Sequence, residues 1–365
     1  MLTLEDNPPH AGARFAALAV LAGALGAREA IVPTIEAKAP EPDHQHVTSH
    51  GRLVANGIVH LERAGVRVRV DPASPGTLVG LSTTSPLEAV AATCWSSNSA
   101  VLLDRDGRSL AVLRIDSAGR PYLNAASPPP VQRVIRLAIA ARPAAMRDYP
   151  AVRMALADAC DHAGVAAKVD LIDPAGCWHE ALDDVRGIVL PGGCDMDALE
   201  GLIAIAAATR ASRLPTLGLC LGFQAMAIAV ARCVPDWAEA TTKEVATADE
   251  PLAFTRLHYN GRPHHRLGDE PVCLPRQLAR RLNLPQSWTE RMNHRYAMAT
   301  PAVTIVSKSG ISLARSASGV VDVLGDPRHP FWVGSEGHPE LTSRPQAPHP
   351  LFAAFLHSVT ARHPF

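Results

Sequence analysis

The sequence predicts two domains, the second of which is an α/β fold whose mostly parallel sheet is flanked by helices. Three observations predict this arrangement. The 365 residues exceed the length that one hydrophobic core usually serves. The prolines of Ser127-Pro128-Pro129-Pro130 interrupt regular structure, because proline lacks an amide donor and restricts the residue before it. Beyond them, short apolar runs alternate with helical patterns. We therefore expect a smaller, β-rich α+β domain in residues 1–130 and the α/β domain in residues 131–365.

Strand patterns dominate the first domain from residue 40 to about residue 125. Residues 58–70 contain the alternating segment Gly-Val-Arg-Val-Arg-Val, and residues 102–107 end in the Asp-Gly of a hairpin turn. Both patterns predict antiparallel strands. The apolar run at residues 15–26 is too short for a membrane-spanning helix, which needs ~20 residues, and acidic rather than basic residues precede it. We expect a core helix there, in a domain whose role the sequence does not indicate.

The second domain begins with a strand and then alternates between helices and strands. The apolar runs predict strands at residues 134–140, 169–172, 187–190 and 216–219. Helical spacing predicts helices at residues 150–163, 197–211 and 223–232. Because such alternation is typical of strand–helix–strand crossovers, the strands should be parallel. Cys220 then falls at a corner between a strand and a helix.

Charge and cysteine usage exclude several classes of function. Lys+Arg and Asp+Glu both number 35, so the basic surface of a nucleic-acid or membrane-binding protein is not expected. The seven cysteines are scattered without a Cys-x-x-Cys pair, which argues against disulfides and zinc and favours the cytoplasm. Phosphate-loop and dinucleotide-binding glycine motifs are missing, so no cofactor is predicted. His258, His264 and His265 lack acidic or thiol partners at ligand spacing, and no metal site is expected.

Glycines on both sides of Cys220 indicate a nucleophile at a sharp turn. In Gly218-Leu219-Cys220-Leu221-Gly222, side chains at the two glycine positions would collide in a tight strand-to-helix corner. The N-terminus of the following helix favours a thiolate, and the backbone N–H of Leu221 can donate to an oxyanion. Alone, this pattern fits equally well a buried cysteine beside a tight turn.

A histidine and a carboxylate near the C-terminus can complete a catalytic relay. In Glu336-Gly337-His338-Pro339-Glu340, His338 could accept the thiol proton and Glu340 could fix the orientation of the imidazole. A lone His-Pro-Glu segment is more often a solvated loop, so its meaning depends on Cys220. Gly192 and Gly193, at the end of another strand, offer backbone amides at the same sheet edge for an oxyanion hole.

Six segments in order resemble the class I, or triad, glutamine amidotransferase domain, and specifically that of the CTP synthases. The resemblance runs from about Arg133 to the C-terminus. The segments are Leu190-Pro191-Gly192-Gly193, residues 218–224, Arg266-Leu267-Gly268, Asn293-His294-Arg295-Tyr296, His329-Pro330-Phe331, and His338-Pro339-Glu340 with Ser343-Arg344-Pro345. The resemblance implies a flavodoxin-like fold for the second domain.

The resemblance also implies a catalytic role for each residue of the relay. Cys220 would form a γ-glutamyl thioester, His338 would act as general base and then acid, and Glu340 would support the histidine. Backbone amides of Leu221 and of Gly192 or Gly193 would hold the oxyanion.

Three further positions match residues that border the substrate in CTP synthases. Gln224 lies four residues after the nucleophile, Glu244 lies 24 residues after it, and Arg295 belongs to the His-Arg-Tyr segment. The resemblance implies that they hold the amino-acid end of glutamine. Without it, Gln224 could simply pack on its helix and Glu244 could be solvated.

The sequence departs from the family at two positions near the expected pocket. Cys194-Asp195 replaces Phe-Gly after the two glycines, and Gly337 replaces the aromatic residue before the catalytic histidine. Both changes remove side-chain bulk, which suggests a pocket for a γ-glutamyl compound larger than glutamine, or weaker binding of glutamine. Residues 1–130 also lack the phosphate loop of the CTP synthase ligase half, so this chain alone should not make CTP.

Three functions remain open at the level of the sequence. The first is a glutamine amidotransferase subunit that releases ammonia from L-glutamine for a separate synthetase subunit, or for an acceptor bound by the first domain. The second is a stand-alone γ-glutamyl hydrolase that uses water. The third is a non-catalytic, amidotransferase-like binding subunit, against which the complete set of Cys220, His338 and Glu340 argues.

Overall fold

The structure is a computed structural model that describes residues 134–142, 151–193, 195–247 and 249–361 continuously. Before residue 134 it describes residues 2–5, 29–33, 45–47, 49–51, 53–55, 62, 67–71, 78–82, 92–96, 99–103, 108–116, 118 and 120–123. The chain divides into two compact units. One comprises residues 1–48, 52–130 and 147–154, and the other comprises residues 49–51, 131–146 and 155–365.

Ten described strands belong to the first unit, and most of them pair in antiparallel fashion. They are β1 (Leu2–Glu5), β2 (Glu29–Pro33), β3 (Gln45–Val47), β4 (Leu53–Ala55), β5 (Arg67–Asp71), β6 (Leu78–Ser82), β7 (Ala92–Ser96), β8 (Ser99–Leu103), β9 (Ser109–Ile115) and β10 (Pro121–Leu123). One sheet has the order β1-β6-β2-β5, another has the order β10-β9-β8-β7, and β3 pairs with β4. Among these ten described strands, only β2 and β5 pair in parallel. The predicted hairpin is confirmed by the antiparallel β8 and β9. Its turn and the predicted helix at residues 15–26 lie outside the described residues.

A seven-stranded, mostly parallel sheet forms the centre of the second unit. Its order is β12-β11-β13-β14-β24-β23-β22. The strands are β11 (Val134–Ala140), β12 (Ala166–Ile172), β13 (Ile188–Leu190), β14 (Thr216–Leu219), β22 (Ser312–Arg315), β23 (Val321–Gly325) and β24 (Trp332–Ser335). The strands from β12 to β24 run parallel, and β23 and β22 continue the sheet in antiparallel fashion. The predicted α/β fold is therefore confirmed.

Helices cover both faces of this sheet. The described helices that follow β11 in the chain are α1 (Ala151–His162), α2 (His179–Asp183), α3 (Leu199–Ser212), α4 (Leu221–Ala231), α5 (Arg276–Leu282), α6 (Thr300–Lys308), α7 (Pro339–Thr342) and α8 (Pro350–Ala361). The Trp332 Nε1–H donates to the Ala206 carbonyl of α3 over 3.3 Å, whereas the ring of the preceding Phe331 contacts Phe355 of α8. Because successive side chains of a strand point to opposite faces, α3 and α8 lie on opposite faces.

Helix α4 forms the centre of the hydrophobic core. Every residue of α4 is buried, and the helix packs against α3, α6 and the sheet strands β13, β14 and β24. A helix that is apolar on all sides must be covered on all sides. In the described part of the chain, the helices are too short or too polar for any of them to cross a membrane.

Seven short strands follow α4 and precede β22. They are β15 (Thr241–Thr242), β16 (Leu252–Arg256), β17 (His258–Tyr259), β18 (Arg262–Pro263), β19 (Arg266–Cys273), β20 (Ser287–His294) and β21 (Tyr296–Met298). They form a β15-β16-β21 sheet and two antiparallel pairs, β17-β18 and β19-β20. The backbone N–H of His338 donates to the Arg291 carbonyl of β20 over 2.7 Å, so the β19-β20 pair supports the segment that follows β24.

Gly222→Ala should destabilise the protein by roughly 3 kcal/mol or more. Gly222, in the first turn of α4, lies against the end of β13, and a Cβ there would stand 2.7 Å from the Leu190 carbonyl carbon and closer still to its oxygen. Backbone atoms cannot rotate away, so the helix would have to move. Chemical denaturation measures the loss. Gly176→Ala is the control, because its Cβ would meet its nearest neighbour at an ordinary 3.5 Å. Equal stability of the two variants would contradict the expectation.

Candidate active site

The carboxyl ends of three adjacent parallel strands bring the predicted catalytic segments together. Leu190 of β13 lies beside Gly218 of β14, and Leu219 of β14 lies beside Ser335 of β24. The segments that carry Gly192, Cys220 and His338 follow these three strands directly. Ligands of open α/β sheets bind at this edge, because the loops there leave the sheet on neighbouring strands.

Cys220 occupies the predicted turn between β14 and α4 in a strained backbone conformation. Its φ of 46° and ψ of −105° are unusual for a residue with a side chain. A Cβ at Gly218 would overlap the Met226 sulfur and approach the Gly222 backbone at 2.9 Å. The turn is held from both sides, since the Cys220 N–H donates to the Ser335 carbonyl over 2.8 Å and its carbonyl accepts from the Gln224 N–H over 3.0 Å. The half-buried thiol therefore stands at the N-terminus of α4.

His338 lies between Cys220 and Glu340. The distance from His338 Nδ1 to Glu340 Oε1 is 2.8 Å, and both side chains are buried. The His338 ring also hydrogen-bonds to the Cys220 side chain. Burial by itself lowers the pKa of His338, but the charges of Glu340 and Cys220 outweigh it and raise that pKa well above its ordinary value. This electrostatic environment favours the imidazolium form of His338.

Gly192 lies directly against the cysteine and the histidine. A Cβ at this position would stand 3.0 Å from Cys220 Cβ and 3.1 Å from His338 Cε1, so the backbone approaches the pair more closely than a side chain would allow. Gly193 follows with a φ of 133°, a conformation that favours glycine. Leu221 is the first residue of α4, where a backbone N–H has no partner within its own helix. Cys194 lies outside the described residues.

The three predicted substrate-binding residues lie on three different elements. Gln224 is buried one turn after Cys220, and its Nε2 donates to Glu336 Oε1 over 2.9 Å. Glu244 is exposed in the turn after β15. Arg295 is half-buried between β20 and β21, and its carbonyl accepts from the Leu257 N–H over 2.8 Å. Of the three, Gln224 is the one with a hydrogen bond to Cys220, from its backbone N–H to the Cys220 carbonyl.

Two buried carboxyl groups near the triad were missed by the sequence reasoning. Glu336 and Glu290 are both completely buried. Glu290 accepts hydrogen bonds from Trp288 Nε1 over 2.6 Å and from the Ser335 hydroxyl, and burial raises its pKa to about 7. In the sequence, Glu336 stands directly after the apolar run of β24, and Glu290 lies inside the β20 segment. Neither shows its burial in the sequence alone.

The structure changes the interpretation of Gly337. The missing side chain was expected to enlarge the substrate pocket. A Cβ at position 337 would instead meet Glu290 Oε1 at 2.5 Å, so the buried Glu290 carboxyl group fills the space on that side. The absence of an aromatic residue at Gly337 therefore gives no support to a larger substrate.

Comparison with a family model decides the family. Residues 147–358, more than half of the chain, match the model of the family described as glutamine amidotransferase class-I. The chain belongs to the class I glutamine amidotransferase family. The match contains β14, α4 and β24, and with them Cys220, His338 and Glu340.

Curated relatives of this amidotransferase are CTP synthases, and it matches only part of each. It is 33% identical over 222 residues to CTP synthase from Acidothermus cellulolyticus, which covers 57% of this chain and 38% of that protein. It is 32% identical over 246 residues to CTP synthase from Methanopyrus kandleri, which covers 63% and 46%. The amidotransferase thus spans less than half the length of these relatives.

A solved structure supports the fold of the amidotransferase domain. The glutaminase domain of Trypanosoma brucei CTPS, solved with bound acivicin, superposes with a TM-score of 0.57 at 22% identity. The superposition covers 63% of this chain and 95% of that domain. The seven-stranded sheet and its helices are therefore the fold of a CTP synthase glutaminase domain.

Proposed function

We propose that this class I glutamine amidotransferase hydrolyses the side-chain amide of L-glutamine through a γ-glutamyl thioester on Cys220. The observation that carries the proposal is the Cys220 turn with the buried His338–Glu340 pair beside it, whose Nδ1–Oε1 distance is 2.8 Å. A nucleophile, a base within hydrogen-bond reach and a carboxylate that orients the base form the arrangement needed for acyl transfer.

The first half of the reaction releases ammonia. His338 accepts the Cys220 proton, and the sulfur attacks the γ-carbonyl carbon. Backbone N–H groups of Leu221 and of Gly192 or Gly193 stabilise the oxyanion of the tetrahedral intermediate. His338 then donates the proton to the amide nitrogen, the C–N bond breaks, and ammonia leaves the γ-glutamyl thioester.

The second half of the reaction regenerates the thiol. His338 accepts a proton from a water molecule, whose oxygen attacks the thioester carbonyl carbon. The C–S bond breaks, His338 returns the proton to sulfur, and glutamate leaves. Glu340 keeps the imidazole oriented in both halves. Arg295 would bind the α-carboxylate of the substrate, whereas Gln224 and Glu244 would accept hydrogen bonds from its α-ammonium group.

The ammonia is proposed to serve a separate synthetase subunit, or an acceptor bound by residues 1–130. Two facts support coupling to another activity. The relatives that the amidotransferase domain matches are CTP synthases, proteins named for a synthesis. A compact unit containing most of residues 1–130 precedes an amidotransferase domain that we place in residues 131–365.

The purified chain should release ammonia and glutamate from L-glutamine in equal amounts. Glutamate dehydrogenase-coupled detection of ammonia and chromatographic detection of glutamate measure the two products. If ammonia serves a partner, cell extract from the source organism should stimulate release by wild type beyond the sum of the two separate rates. Hydrolysis of larger γ-glutamyl amides but not of glutamine would instead indicate a γ-glutamyl hydrolase. No hydrolysis of either substrate would indicate a binding subunit.

A further inference from the structure

A buried pair of polar side chains, Glu336 and Gln224, lies beside the nucleophile. The Glu336 side chain is completely buried and that of Gln224 is 4% exposed. The Gln224 Nε2–H donates to Glu336 Oε1 over 2.9 Å. Backbone hydrogen bonds attach both segments to Cys220, because its N–H binds the carbonyl of Ser335, the neighbour of Glu336, and its carbonyl binds the Gln224 N–H. The pair is therefore fixed next to the reacting sulfur.

Each member of the pair keeps one buried oxygen without a hydrogen-bond donor. Glu336 Oε2 and Gln224 Oε1 have no partner among the described residues. An unpaired buried acceptor destabilises the folded protein, because it has lost its hydrogen bonds to water. Proteins rarely leave such groups unpaired, and two on adjoining side chains suggest a place where a ligand supplies the donors.

Two basic side chains near Glu336, His294 and Arg266, use their donors elsewhere. His294 Nδ1 donates to the Tyr296 carbonyl over 2.9 Å and lies 3.8 Å from Glu336 Oε1, which is too far for a good hydrogen bond. Arg266 donates to Asp322 Oδ1 over 2.7 Å and to His294 Nε2 over 3.2 Å. Burial and the Arg266 charge lower the pKa of His294 to about 3, so its ring is neutral.

The electrostatic environment of Glu336 favours a ligand that is positively charged. Burial, followed by the charge of Cys220, raises the pKa of Glu336 well above its ordinary value. Without a bound cation, the buried carboxyl group therefore favours its neutral form. A bound cation would stabilise the carboxylate form, in which Glu336 Oε2 accepts hydrogen bonds.

We infer that Glu336 Oε2 and Gln224 Oε1 form a binding site for a nitrogen of the substrate that carries N–H donors. The inference rests on the proposed function and adds Glu336 to the residues that select the substrate. Two nitrogens of glutamine have this chemistry. One is the α-ammonium group, and the other is the γ-amide nitrogen, which leaves as ammonia.

Glu336→Gln tests the site with three substrates that differ in these nitrogens. L-Glutamine has both, glutaramate lacks the α-ammonium group, and L-glutamate γ-methyl ester lacks the amide N–H. Recognition of the α-ammonium predicts that kcat/KM falls about 10- to 100-fold for glutamine and the ester but not for glutaramate. Recognition of the amide nitrogen predicts the same fall for glutamine and glutaramate but not for the ester.

An equal fall for all three substrates, or no fall for any, would overturn the inference. Failure of wild type to hydrolyse any of them would instead refute the proposed function, so the two failures are distinct. Glu290→Gln is the matched control, since Glu290 is an equally buried acid whose oxygens already have donors in Ser335 and Trp288. It should leave the ratios among the three substrates unchanged. If Glu336→Gln does not fold, as judged by thermal unfolding, Glu336→Asp, which withdraws the carboxyl group by one methylene, should shift the ratios in the same direction.

Discussion

Cys220→Ala should lower the rate of ammonia release from L-glutamine by at least about 10,000-fold. No other described side chain occupies the turn between β14 and α4, where the thiol faces His338 and the close backbone of Gly192. Without the sulfur no thioester forms, and only direct attack by water on the amide remains. The rate is measured as ammonia and glutamate released by purified wild type and variant under saturating glutamine.

Cys233→Ala is the control for this experiment. Cys233 is exposed just beyond the other end of α4, and its thiol contacts the Ala229 carbonyl over 3.4 Å. Its replacement should leave the rate unchanged. Intact-mass spectrometry after mixing with glutamine should detect a γ-glutamyl adduct on wild type and on Cys233→Ala only. A Cys220→Ala protein that releases ammonia at a tenth of the wild-type rate would exclude Cys220 as the nucleophile.

Glu340→Gln should lower kcat by about 10,000-fold while the protein stays folded. With its carboxylate, Glu340 accepts the Nδ1–H of His338, which leaves Nε2 free to accept the proton of Cys220. A glutamine amide can turn its NH₂ group toward Nδ1 and stabilise the opposite tautomer, in which Nε2 already carries a proton. The charge of Glu340 also helps to raise the pKa of His338, and the variant loses this contribution.

Steady-state kinetics and thermal unfolding of Glu340→Gln separate the catalytic effect from a folding defect. We expect KM to change little, because Glu340 is completely buried behind His338 and is not proposed to contact substrate. Glu340→Asp keeps the acceptor charge and should recover part of the lost rate. A Glu340→Gln enzyme with kcat within tenfold of wild type would show that His338 does not depend on this carboxylate.

The sequence by itself determined four of the seven strands of the central sheet, β11 to β14, and the shape of the nucleophile turn. The strands predicted at residues 134–140 and 216–219 have the observed bounds of β11 and β14. These features are local, since an uninterrupted apolar run predicts a buried strand. Gly218 and Gly222 could also be interpreted from their immediate neighbours, because only glycine fits where α4 begins against β13 and β14. The family motifs predicted which residues lie near Cys220.

The tertiary structure decided which distant side chains meet. Strand order places β24 beside β14, and this neighbour relation brings Glu336 to Gln224, 112 residues earlier in the chain. No local periodicity encodes that order, because it depends on how the whole sheet assembles. The same holds for Gly337, whose missing side chain seemed to open the pocket until the β19-β20 pair was seen to place Glu290 against it. From the sequence alone, a charged residue is expected to be exposed to solvent. Whether it is buried depends on the elements that pack around it in the tertiary structure.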